Sequence, residues 1–498
     1  AAAVAGAGPG GPTAEATAAG SRAGLLEPLV ALVGALRERQ TRRAFCDEGA
    51  WLLGARAASA AEDAERGSAS ALALLALMPW TVPFEKRVHA FRSLVASDKL
   101  RVRGGDGTPE RPRTAPELHI VVRRGRHLLH DGYAQLATQP ASALRRVLRV
   151  KFVSELGMGE AGIDHNGVFK EFMEETVRAA FDENLGLFSR SASVSKAFYP
   201  NPHSGDIHGD HEHLFEFVGR ILGKALYEGV TLDIPLASFF VRRVLGAANS
   251  LDELPSLDPQ LHASLLFTKT YEGDVGDLCL TFALDVDHFG QRRSVDLRPG
   301  GAAIPVDNSN RIQYVHLVAD HHLNRQVSVQ AKALHRGLTS VLAPQWLRLF
   351  AAPELTTLLA GEDRDVDVDD LRRHTVYHGG YHELSPTVRA LWQVLKDFSN
   401  AERKAFLKFV TACSQPPLLG FKHLEPRFSV QCVAPGGGDG GPLTGMMAMV
   451  GLTPAERKRL PTAATCFNLL KLPDFRSKKL LREKLLLAIH SNSGFELS

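Results

Sequence analysis

The chain has 498 residues, 44% of them apolar and 23% charged, with a formal net charge of +3. That length accommodates two to four domains with substantial cores, and the composition is that of an ordinary globular protein. So small a charge gives no electrostatic footprint for nucleic acid or for an anionic membrane surface.

In chain order, residues 1–24 are an Ala/Gly/Pro/Thr low-complexity leader, expected to be disordered because it holds too little apolar variety to bury. The chain lacks an initiator methionine and a basic-then-apolar signal, so it reads as a piece of something longer. Over 25–102 the spacing of Leu25, Leu29, Leu32, Val33 and Leu36 predicts a partial helical region. The run ALALLALMPWTVPF (71–84) is too short and too proline-broken to span a membrane, and reads as a core helix followed by a turn. RGGDGTPERPRTAP (103–116) has the composition of a linker.

Beyond the linker, HIVVRRG carries a β-branched strand signal. VFKEFMEETVRAAF (168–181) places Phe169, Phe172, Met173, Val177 and Phe181 on one helical face, after start signals at Asp164 and Asn166-Gly167. FEFVGRILGKALYEG (215–229) repeats the pattern, with Phe217, Ile221, Leu222 and Leu226 inward and Arg220, Lys224 and Glu228 on the polar side. HGGYHELSP (378–386) reads as a hinge. After it, SVQCV (429–433) predicts a strand, PGGGDGGPLTG (435–445) a flexible loop, and KKLLREKLLLAIHS (478–491) an amphipathic helix.

Several clusters are weighed for chemistry. His203, His208, His211 and His213 stand among Asp206, Asp210 and Glu212, residue types that suit zinc or nickel. Without fixed helical spacing they read better as a solvated loop. His321-His322 is expected on a helix surface. GGGDGG lacks the Lys-Ser/Thr of a phosphate loop. GEDRDVDVDD (361–370) lacks the glycine and terminal glutamate of a calcium loop, and reads as a charged loop capping the following helix. The five cysteines, Cys46, Cys279, Cys413, Cys432 and Cys466, form no disulfide or zinc spacing and point to a reducing setting, cytoplasmic or nuclear. Cys466 stands out in LPTAATCFNLLKLP (460–473). Pro461 and Pro473 interrupt regular pairing, and Thr462 to Thr465 offer no bulky cover. A buried structural thiol and an accessible nucleophile both remain open on these residues alone.

The same segment resembles the active-site motif LPxxxTCFNxLxLP of HECT-type ubiquitin-protein ligases, with every fixed position present. The resemblance runs over roughly 115–498, through EAGIDHNGVFKEFMEE, FEFVGRILGKALYEGVTLDIPLASFF, IPVDNSNR, YHGGY and the closing GFELS, and the upstream MPWTVPFEKRVHAFR matches one branch of the family. It implies an α+β, bilobal fold: a mostly helical N-lobe over 117–381, a hinge at 382–386 and an α/β C-lobe over 387–498. It also implies a ubiquitin transferase whose Cys466 takes ubiquitin from a conjugating enzyme as a thioester and passes it to substrate lysines. The implied partners are the charged conjugating enzyme, ubiquitin and protein substrates, with no cofactor, no metal, no nucleic acid and no membrane span. Thr465 and Phe495 match the family's catalytic segment and tail phenylalanine, and Glu496 or the terminal carboxylate is a candidate to orient the incoming lysine. Leu261, Leu265, Leu278, Leu280, Tyr314 and Val318 map onto the groove for the conjugating enzyme. One departure is Ala464, where many members carry histidine. The rival readings are a silent binding module that keeps the groove, and a cysteine hydrolase, for which no His/Asn partner is evident.

Overall fold

The computed structural model describes residues 28–41, 43–103, 117–154, 167–288, 290–361, 364–411, 413–424, 426–433, 460–475 and 477–490. The expected leader, nearly all of the linker, Asp164, Asn166, the Gly-rich loop, Phe495 and Glu496 lie outside these residues. The chain forms two compact units, one made of residues up to 94 with 348–350, the other of the rest.

In the first unit, α1 (28–41) precedes α2 (Ala55–Glu65), α3 (Ala69–Leu77) and the start of α4 (Phe84–Arg103). Helices α2 and α3 pack together, burying Ala57, Ala61 and Ala64 at helical spacing on one and Ala71 and Leu75 on the other. The apolar run ends as expected: Pro79 cannot continue a helix and opens a 3-10 turn, Pro79–Thr81. Buried Arg87 is satisfied by the carbonyls of Val82 (2.9 Å) and Leu349 (2.5 Å). Phe350 meets Phe84 and Phe91 edge-on.

The second unit opens with β1 (Leu118–Arg123) and β2 (Leu148–Val153), a parallel pair whose inward residues alternate, with α5 (Leu128–Leu136) between them in the chain. Next come α6 (Gly167–Ala180), the antiparallel pair β3 (Phe188–Arg190) and β4 (Phe198–Pro200), α7 (His211–Glu228) and α8 (Ser238–Val244). Then follow α9 (Pro259–Thr270), the hairpin β5 (Ala283–His288) and β6 (Gln291–Asp296), α10 (Arg311–Asp320), α11 (Ser328–Val341) and α12 (Ala352–Ala360). The five residues expected on the inner face of α6 are all buried. Glycines bring α7 and α11 into close approach: a Cβ on Gly337 would land on the Glu216 carbonyl oxygen, and one on Gly219 on that of Leu334.

Two details differ from the sequence reading. Lys224 is buried, because its ammonium reaches the Arg146 carbonyl (2.7 Å) and Glu228 (2.6 Å). His321 and His322 lie in a π-helical turn, His321–Arg325, where burial lowers both pKa values and brings His322 to about 4.

The C-terminal part builds its own core. A four-stranded sheet, ordered β7 (Val376–His378), β8 (Ser429–Val433), β10 (Leu469–Pro473) and β9 (Thr462–Ala464), is parallel except for β9. Helices α14 (Pro386–Asp397), α15 (Asn400–Thr411) and α16 (Lys478–His490) cover it, and Leu391, Trp392, Phe406, Val430, Leu472 and Leu485 are among the residues buried in that core. Val366, Val368 and Leu371 share this core, the latter two on α13 (Val368–Arg373). The HGGYHELSP stretch therefore follows a strand of this sheet instead of preceding it. The acidic run does cap a helix, as expected: the Asp367 carboxylate accepts from the amides of Asp369 (2.9 Å) and Asp370 (3.0 Å). Helices with several small sheets make the chain α+β. No helix among the described residues is long and apolar enough to cross a membrane.

Candidate active site

LPTAATCFNLLKLP folds as strand, turn, strand. Strand β9 pairs antiparallel with β10, closing at Ala464↔Leu469. The intervening residues form a single 3-10 turn, Thr465–Phe467, with Cys466 at its centre. Of the two hairpin strands β10 runs inside the sheet, between β8 and the short edge strand β9. Pro461 is buried at the start of the hairpin, and Pro473 ends β10. The prolines thus bound a short hairpin whose tip is residue 466, which answers why the segment breaks regular pairing on both sides.

Asn468 makes the tip possible. Its backbone is left-handed (φ 47°, ψ 44°), a conformation asparagine tolerates better than most side chains, and its amide donates to the Thr465 carbonyl at 3.2 Å. The side chain is fully buried. Nδ2 donates to the Pro426 carbonyl (2.5 Å), and the backbone carbonyl accepts from the Ser429 amide (2.9 Å). Oδ1 accepts from Lys170 Nζ at 3.3 Å. That ammonium comes from α6 and also donates to the Thr411 carbonyl at 2.5 Å, at the last residue of α15.

One turn along α6, Glu174 lies 3.8 Å from Lys170. Burial pushes its carboxyl up to about 7, against the opposing pull of Lys170 and Arg178. Glu174 lines a cleft of about 470 Å³ that it shares with Arg178, Phe181, Asp182, Asp233 and Lys408. Asp233 and Lys408 pair across it at 3.2 Å. Of the other thiols, Cys413 is buried, its pKa raised by that burial; Cys432 is half-buried on β8, and Cys46 and Cys279 are exposed. Among the described residues no group of three His, Cys, Asp or Glu could hold a metal. In the His-rich stretch, His208 Nε2 meets the Leu185 carbonyl (2.7 Å) and His211 Nδ1 meets Ser204 Oγ (3.0 Å), both local structural contacts.

The six groove residues fall into two sets. Leu265, Tyr314 and Val318 are buried where α9 and α10 pack together, and burial raises the Tyr314 pKa. Leu261, Leu278 and Leu280 are half-buried. The sequence reading missed the exposed apolar neighbours on the same helices: Leu266, Phe267 (57% exposed) and Ile312. Phe267 stacks at a tilt against Tyr271, ring centres 5.3 Å apart. Their signal was present, since exposed large apolar side chains clustered on neighbouring helices fit contact with a partner, but helical spacing does not separate such residues from core.

The HECT-domain (ubiquitin-transferase) family model matches residues 174–498. Ubiquitin-protein ligase E3B of Homo sapiens is 44% identical over 475 residues, covering 93% of this chain and 44% of that protein. E3 ubiquitin-protein ligase UPL6 of Arabidopsis thaliana is 42% identical over 85% of this chain and 39% of its own length. E3 ubiquitin-protein ligase HUL5 of Saccharomyces cerevisiae is 35% identical, over 86% and 45% respectively. The chain spans less than half the length of these curated relatives. The match through the cysteine hairpin and well beyond it makes this chain a member of the HECT family.

Proposed function

We propose that the chain is a ubiquitin transferase that works by two acyl transfers through Cys466. The observation that carries this reading is the hairpin, which puts residue 466 at the tip of a single turn between β9 and β10. In the first transfer, the Cys466 thiolate attacks the thioester carbonyl on the conjugating enzyme, and that enzyme's cysteine leaves as thiolate. One sulfur replaces another, so the step is near thermoneutral, and a thiol with an ordinary pKa is the best attacker. In the second, a deprotonated lysine amine attacks the new thioester. The C–N bond forms, the C–S bond breaks, and the surplus amine proton goes to solvent or to the departing sulfur. Positioning is the main demand of both steps, so the absence of a histidine at Ala464 is compatible with the chemistry.

Half-buried Thr465, which precedes Cys466 in the chain, is proposed to hydrogen-bond at the site, and Phe495, outside the described residues, to assist the second step. The groove for the conjugating enzyme is proposed at α9 and α10, its rim made of Leu261, Leu278 and Leu280 with exposed Leu266, Phe267 and Ile312. The buried Leu265, Tyr314 and Val318 would shape it from beneath. Two lobes are the arrangement a travelling cysteine requires. The shared core of Val366, Val368 and Leu371 supports a lobe boundary nearer 361–365 than 382–386. Protein lysines are the proposed acceptors.

The test is discharge of a ubiquitin-charged conjugating enzyme onto the chain, read on non-reducing gels. The account expects an adduct that thiol reagents remove and that Cys466→Ala abolishes. If Cys466→Ala forms the same adduct, the cysteine is not the carrier.

A further inference from the structure

Lys170 is a buried ammonium that ties three elements of the site together. It projects from α6, it satisfies the terminal carbonyl of α15 at Thr411, and it holds the side chain of Asn468, two residues beyond Cys466. A helix ends with carbonyls that lack partners and carry partial negative charge, so an ammonium there is doubly favoured. Withdrawing it would leave a buried carbonyl and amide oxygen short of a donor, which is costly. The link also has direction. The Cys466 turn packs on α6 and α15, whereas α9 and α10 pack on one another and on the Leu251–Ser256 turn.

We propose that Lys170 is a positioning residue that docks the Cys466 turn on α6, and that this docked arrangement serves transfer from Cys466 to lysine, not receipt from the conjugating enzyme. The inference rests on the reading of Cys466 as the thioester carrier. Receipt requires the thiol to meet a partner seated at α9 and α10, elements that the docked turn does not pack against. Transfer requires a turn held still while an amine approaches.

The two steps are separable in single turnover. Loading is followed from the charged conjugating enzyme, and discharge from the preloaded chain to free L-lysine. Lys170→Met keeps the aliphatic stem and removes the donors; Lys170→Arg returns them. Asn468→Gly keeps the left-handed backbone and removes the acceptor, together with the bond to the Pro426 carbonyl. The expected result is loading within about twofold of the unmutated chain, discharge slowed about tenfold or more in Lys170→Met and Asn468→Gly, and partial recovery in Lys170→Arg. Equal loss of both steps would reduce Lys170 to a purely structural part, and unchanged discharge, or an arginine no better than methionine, would overturn the proposal too. If Lys170→Met fails to fold by circular dichroism, Asn468→Gly decides alone on the same criteria. Failure of the Cys466 reading would look different: the unmutated chain itself would form no adduct.

Discussion

At the scale of single residues, the site depends on side chains whose partners are far away in the chain. Asn468 combines a left-handed backbone with buried polar atoms bound to Pro426 and Lys170. Asn468→Ala is expected to cost about 2–4 kcal/mol in denaturant unfolding, from unsatisfied buried groups plus backbone strain. Asn468→Gly, which relieves the strain, should recover about 1 kcal/mol of that. Glu174 yields a pH prediction. Its carboxyl is expected to titrate near 4.5 in the unfolded chain but at about 7 when folded, chiefly through burial. Between those values the folded state binds the extra proton, so this group's contribution to stability is greatest below the lower value and falls as pH rises to the upper one. Glu174→Gln should therefore flatten the fall in thermal midpoint across that window, and melt higher than the unmutated chain at alkaline pH. A midpoint difference independent of pH would contradict the assignment. Glu228 runs the other way. Burial alone would raise it, but Lys224 and Lys99 hold it at about 2, so its contribution is full above the unfolded value of 4.5 and is lost progressively as pH falls from there to about 2.

At the scale of elements, α7 and α11 depend on glycines for their approach. Gly337→Ala would press a methyl into the backbone of α7 at Glu216, where nothing flexible can yield. A loss of about 2–4 kcal/mol is expected, measured by urea unfolding. Such elements were largely legible beforehand. The face of α6 was readable because five apolar residues share one helical stripe, whereas the two prolines marked the segment around Cys466 only as a break in pairing and gave no sign of the β9–β10 hairpin. The rest was hidden for a physical reason. Lys224 and Lys170 look like solvated charges locally, and their acceptors, Arg146, Thr411 and Asn468, lie 78, 241 and 298 positions away. The paired glycines of 378–386 read from the sequence as a hinge. In fact Gly379 has positive φ, and a Cβ there would lie 2.8 Å from the Cys432 carbonyl oxygen, so the glycine lets β7 lie against β8 within one sheet.

At the scale of the whole molecule, the proposed function needs two regions to cooperate: the face proposed for the conjugating enzyme at α9 and α10, and the cysteine hairpin. Phe267 tests the first. It is exposed, so Phe267→Ser should leave the melting temperature within about 2 °C. It should slow loading from the charged conjugating enzyme about tenfold, as loss of an aromatic anchor does at an interface. Unchanged loading would move the face elsewhere. The central claim, that residue 466 itself carries the acyl group, is tested most directly by peptide mapping of the acid-quenched adduct. The account predicts the ubiquitin C-terminus joined, as a thioester, to the peptide that contains Cys466. Finding it on Cys279 or Cys432, or finding lysine modified without any preceding adduct, would contradict it.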